Sequence, residues 1–215
     1  MYALLKKEFL LEFRQKSTLG GVIVYIAGTI FTSVLCFKGK LDKPTWNALF
    51  WIITLFTSVS ISGKSFLKEA GGSALFNYLH YSPQKFIINK VAYNMFFMMI
   101  LSLITFFFYS FFVRNEVENL PLFLLILLLA STGLAGSLSL MSAIATKAGG
   151  NFALMSILSF PVILPLIIVA IKASKQAVDG IEWAGIDFGL IWILAALNVL
   201  TLALSFLLFP YLWRD

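Results

Sequence analysis

The sequence predicts an all-α integral membrane protein built as a bundle of six membrane-spanning helices. Three observations lead there. The 215 residues are 60% hydrophobic and only 12% charged, whereas a soluble domain carries roughly 25% charged residues. The apolar residues fall in six runs of about 20 residues, the length that crosses a hydrocarbon core of about 30 Å at about 1.5 Å per residue. The polar and charged residues gather between the runs. The net charge of +6 does not argue for nucleic acid, because basic residues flanking apolar spans are the usual orientation signal. One cysteine, Cys36, and one histidine, His80, leave no internal disulfide and no His/Cys metal cage.

Met1–Thr18 is mixed and charged, with Leu5, Phe9 and Phe13 recurring every four residues, so it is expected to lie as an interfacial helix. A signal peptide is the rival, but the apolar run that follows is long and no A-x-A cleavage site succeeds it. Gly20–Phe37 is the first span. Trp46–Ser62 is the second, with Trp46 and Trp51 expected near one membrane interface. The third runs from about Val91 to Val113 and the fourth from Pro121, a residue suited to a first turn, to about Thr146. Lys147–Asn151 is a tight turn. The fifth span is Phe152–Ile171 and the sixth Phe188 to about Leu212. No repeat or linker divides the chain, so residues 1–215 form one domain. Six spans put both termini on one side. With the termini inside, ten of the 16 Lys and Arg lie inside and six outside, which favours cytoplasmic termini.

The longest polar interruption, Gly63–Lys90, organises the chain. Lys64, Lys68, Lys85 and Lys90 make it basic, with Glu69 its one acid. Gly71 and Gly72 precede Ser73, a helix cap, and Leu75, Phe76 and Leu79 share one side of the short helix it opens. Pro83 ends that helix. A small amphipathic helix at the membrane surface is what a soluble partner needs in order to push on the spans. Gly63-Lys64-Ser65 matches the end of a phosphate-binding loop, but Ser58 stands where the first glycine is required and a span precedes it in place of a strand. The chain thus shows no nucleotide site of its own.

With spans drawn this way, none holds an acid, base or histidine, which argues against a proton relay or a charged-ring channel. Asn94 and Asn198 are the strongest polar groups at depth, suited to interhelical hydrogen bonds or to substrate contact. Residues 131–139 place Gly133, Gly136 and Ser137 among other small residues. Packing within the bundle and a dimer face both fit them. Pro161 and Pro165, four apart, each remove a backbone donor and should kink the fifth span, as a fixed bend or as a flexing point. Met95, Met98, Met99, Met141 and Met155 could ligate haem iron but suit packing better.

Two stretches resemble a known family. Lys64-Ser65-Phe66, Lys68-Glu69, Gly72, Leu75, Ser82-Pro83-Gln84, Ile87, Lys90 and Tyr93-Asn94 form one. Residues 158–169, with both prolines, form the other. Together they resemble haem exporter protein B, the membrane subunit of the ABC transporter of cytochrome c maturation. The chain departs from some members at Gly63-Lys64, where they carry Glu-Arg, and at Ala74 and Leu75, where they carry an acid. The resemblance implies an ABC-2 exporter type of bundle in the bacterial inner membrane. It implies two permease copies paired with a separate ABC ATPase subunit, and joined by a haem-handling membrane protein and a small accessory subunit. Phe66, Glu69, Gly72, Leu75, Phe76, Leu79 and Pro83 would form the ATPase-coupling surface. Haem would be cargo of the complex, with no cofactor bound tightly by this subunit. The rivals are a permease for another cargo, such as a lipid or drug, and a non-transporting membrane scaffold.

Overall fold

The computed structural model describes residues 16–37, 41–67, 83–148 and 152–214. Six long helices account for nearly all of them: α1 (Lys16–Phe37), α2 (Lys43–Leu67), α3 (Pro83–Val113), α4 (Leu120–Lys147), α5 (Phe152–Val178) and α6 (Phe188–Arg214). A 3₁₀ turn, Trp183–Gly185, precedes α6. All six helices are long and apolar enough to cross a membrane, and no strand occurs among the described residues. The interfacial helix expected over Met1–Thr18 lies outside the described residues up to position 15.

The boundaries differ from the expected spans in one consistent way: the helices are longer. α2 runs through Gly63, Lys64 and Ser65 to Leu67. α3 opens at Pro83, eight residues before the expected start, and takes in Lys90. α5 continues past Ile171 through Lys172 and Lys175. The expectation that spans exclude charge is therefore corrected, since Lys90 is helical and 2% exposed. Leaving the hydrocarbon does not end a helix. Lysine is a good helix former, and its stem packs along apolar surface while the ammonium reaches polar groups.

α4 is the axis of the bundle. Its buried residues point all round it, from Leu122 and Phe123 to Ala143 and Ala145, and α2, α3, α5 and α6 all pack against it. α1 and α6 lie at the periphery and turn Val24, Phe31, Leu35, Val199 and Leu207 outward, as lipid-facing helices do. At the end opposite residues 68–82, Trp46, Phe50, Phe106, Tyr109 and Phe123 form an aromatic core with ring centroids 5.0 to 6.0 Å apart.

Candidate functional site

The coupling residues expected at Glu69, Gly72, Leu75, Phe76 and Leu79 lie outside the described residues, as does His80. The structure describes the two helices that carry that segment. Phe66 falls in the last turn of α2. Pro83 is the first residue of α3, where a missing N–H leaves no helical bond unmade. α3 has 31 residues and rises about 46 Å. It exceeds the hydrocarbon thickness, so its first turns extend toward the 68–82 segment.

Below that segment lies a polar seam between α3 and α4. Asn94 Nδ2 donates to Ser139 Oγ at 2.8 Å. Asn89 and Lys90, each 2% exposed, stand one turn nearer the segment on α3. Ser142, fully buried, stands one turn nearer on α4, and its hydroxyl has no hydrogen-bond partner. Most other buried hydroxyls, such as those of Thr54, Thr57, Thr105 and Ser205, bond to carbonyls of their own helix, while two further groups tie helices together. Asn198 of α6 donates to Leu129 O and Leu194 O, both at 2.9 Å, and accepts from Thr132 Oγ1 at 3.0 Å. Both asparagines therefore serve as interhelical ties. The sequence did not reveal a third network between α2 and α5. Ser174 Oγ accepts from Trp51 Nε1 at 2.8 Å and donates to Asn47 Oδ1 at 2.9 Å, while Asn47 Nδ2 donates to Ile171 O at 3.1 Å. Its only sequence signal was Asn47, which falls one residue inside the second span.

Trp46 and Trp51 are 0% and 1% exposed and do not face a membrane interface. Their indoles find acceptors inside the protein, Trp46 on Arg114 O at 2.9 Å. Trp192, 74% exposed at the start of α6, has the exposure expected of an interfacial belt residue. At the same end, Thr45 donates to Asp42 just before α2 and holds its carboxyl below the usual carboxylate range. Arg114 closes α3 at φ 70°.

The small residues of α4 turn inward. A side chain at Gly133 would meet Leu166 Cδ1 at 2.6 Å and Asn198, and one at Gly136 would meet Met95 Cε at 2.6 Å. Ser137 is 1% exposed. Pro161 and Pro165 both lie on the exposed side of α5, which is helical through both. A groove of about 500 Å³ between α1 and α3 is lined by Val24, Gly28, Phe31, Phe108, Phe112 and their neighbours, and offers hydrocarbon alone. Met98 and Met155 are buried in the core. No group of three His, Cys, Asp or Glu side chains that could hold a metal occurs among the described residues.

The family model described as CcmB protein matches residues 1–211. The chain belongs to the CcmB family. Membership together with six apolar helices makes it a multi-pass membrane transport subunit of haem export and cytochrome c maturation, and not itself an enzyme. No curated protein matches the chain.

Proposed function

We propose that this chain is the permease of an exporter-type ABC complex in the bacterial inner membrane, with both termini cytoplasmic, and that residues 68–82 receive the force of a separate ATPase. Two copies of the chain, a haem-handling membrane protein and a small accessory subunit complete the complex. ATP hydrolysis then drives release of a haem-loaded chaperone, with haem as cargo and not as a cofactor of this subunit. The observation that carries this reading is the CcmB match over residues 1–211, which takes in all six spans and the segment between α2 and α3. The geometry supports it. The long α3 joins that segment directly to α4, the axis of the bundle.

The coupling role rests on an amphipathic helix that seats Leu75, Phe76 and Leu79 in a groove on the ATPase. Leu75→Asp or Leu79→Asp would bury an unpaired charge there, at a cost of several kcal/mol. Neither falls in one of the six spans, so the chain should accumulate normally, lose the ATPase on co-purification and lose c-type cytochromes. Gly72→Pro should act the same way by restricting the backbone before the helix. Leu125→Ala, on an exposed face of α4, should leave the ATPase bound. Aspartate variants that accumulate and retain the ATPase would show that this segment is not the coupling surface.

A further inference from the structure

We infer that the outward side of α5 around Pro161 and Pro165 is a docking surface for a membrane-spanning helix of a different chain, one that carries hydroxyl, amide or indole donors. This goes beyond the coupling role proposed above and does not depend on it.

Residues 152–171 of α5 carry no charge and are long enough to cross a hydrocarbon core of about 30 Å, with Pro161 at their middle. Proline has no N–H. Pro161 therefore leaves Ile157 O without its helical donor, and Pro165 does the same to Pro161 O. Each freed carbonyl lies between two residues one turn apart, Ile157 and Pro161 for the first, Pro161 and Pro165 for the second. All three residues are exposed, Ile157 at 70%. The side of α5 that packs on the bundle is the opposite one, with Ile163, Leu166 and Ala170. Neither carbonyl accepts a bond from another element among the described residues. The hydroxyl of Ser159 is turned to Met155 O at 2.6 Å and Ser156 O at 3.2 Å. Lipid tails offer no donor, and a backbone acceptor left bare in hydrocarbon is strongly unfavourable. Carbonyls freed by proline in spanning helices are met by neighbouring helices and their hydroxyl side chains. No neighbour within this chain reaches these two, so their donors come from outside it.

The chemistry of the face selects the partner. Ile157, Phe160, Pro161, Leu164, Pro165 and Ile168 carry no side-chain donor. Two copies of this chain meeting through the face would bring four acceptors together with nothing to satisfy them. A helix of another chain with Ser, Thr, Asn, Gln or Trp facing the prolines supplies what is missing, and its apolar residues pack on Phe160 and Leu164.

The test places the photoreactive residue benzoylphenylalanine at position 164 of the full chain and irradiates intact membranes of cells that make c-type cytochromes. The expected product is an adduct to another membrane protein, on a spanning helix with a hydroxyl, amide or indole donor within one turn of the attachment site. Replacing that donor by an apolar side chain of similar size should lower the adduct about threefold, the worth of one such bond between membrane helices. Pro161→Ala restores the N–H and satisfies Ile157 O inside α5. It should lower the adduct by about the same factor, while the purified chain melts no lower than wild type. Adducts to lipid alone, adducts to a second copy of this chain, or a partner helix without a donor each overturn the inference. So does a yield no higher than the same probe gives at position 199, where Val199 faces outward from α6, or a yield unchanged in Pro161→Ala. If Pro161→Ala melts well below wild type, the donor replacement on the partner, which leaves this chain intact, decides the matter. Lipid adducts alone in membranes where the ATPase still co-purifies sink this inference and leave the coupling role standing.

Discussion

Glycines of one helix and glycines of another look alike in the sequence, yet the structure assigns them different costs. Gly133→Val would drive a branched side chain into Leu166 Cδ1, 2.6 Å from the position of a Cβ, and into Asn198 Nδ2 at 3.2 Å. Leu166 is itself 1% exposed and has nowhere to go. Overpacking of this kind costs typically about 1–3 kcal/mol. Displacing Asn198 weakens its bonds to Leu129 O and Thr132 Oγ1, at about 0.6 kcal/mol each between membrane helices. The sum is about 2–4 kcal/mol, which for a chain of this size lowers the melting temperature by about 5–15 °C. Gly136→Val meets the terminal methyl of Met95. An unbranched side chain can swing away, so the cost should be about 1 kcal/mol. Gly28→Val on α1 meets nothing within 4 Å and should stay within about 0.5 kcal/mol of wild type. The assay is thermal unfolding of the three purified variants in one detergent. The reasoning fails if Gly133→Val melts within about 2 °C of wild type, or if Gly28→Val falls as far as Gly133→Val.

Three further outcomes are expected. In a Cys36→Ser background, cysteines at Asp42 and Asp179 should react with an impermeant reagent from outside, and one at Gly72 only after permeabilisation; labelling of the Gly72 position in intact cells reverses the topology. Gly180→Ala forces a side chain to φ +73° and should cost about 1–2 kcal/mol in unfolding free energy; Glu118, which a Cβ there would touch, is more than half exposed and can move aside. The subunit purified alone should bind haem weakly and His80→Ala should keep c-type cytochromes, an expectation overturned by a stable axial-ligand spectrum that His80→Ala abolishes.

The number and order of the helices were legible because a run of about 20 apolar residues has few other uses. Their ends were not, because hydropathy marks where hydrocarbon stops and not where helical bonding stops. The eight residues of α3 from Pro83 to Lys90 show the gap. Composition makes Pro83–Lys90 a polar connection, but Pro83 starts a helix and Lys90 is drawn into the protein. Tryptophan misled for a related reason. An indole at a span end suits a headgroup or an internal acceptor equally well, and only the fold supplied Arg114 O and Ser174 Oγ as partners. Asn94 and Asn198 were legible as polar groups at depth, but their partners on α4 were not, since a hydroxyl in a span names no neighbour.

The placement of these polar ties bears on where the bundle can move. α4 holds α3 through Ser139, α6 through Leu129 and Thr132, and the start of the α5–α6 connection through Asn119, whose side chain donates to Ile181 O. α2 is held to α5 by the Asn47–Ser174–Trp51 network. The hydroxyls of α1, on Thr29, Thr32 and Ser33, bond instead to carbonyls of α1 itself. α1 packs through Val22, Ile26 and Ile30, contacts that lipid tails can replace at little cost. The aromatic core and the α2–α5 network stiffen the end away from residues 68–82. Buried hydroxyls without a hydrogen-bond partner occur on α4, at Ser137 and Ser142, and on α3 toward the aromatic end, at Ser110. The polar ties therefore gather on α4 and on the α2–α5 pair, and α1 meets the bundle through apolar contacts.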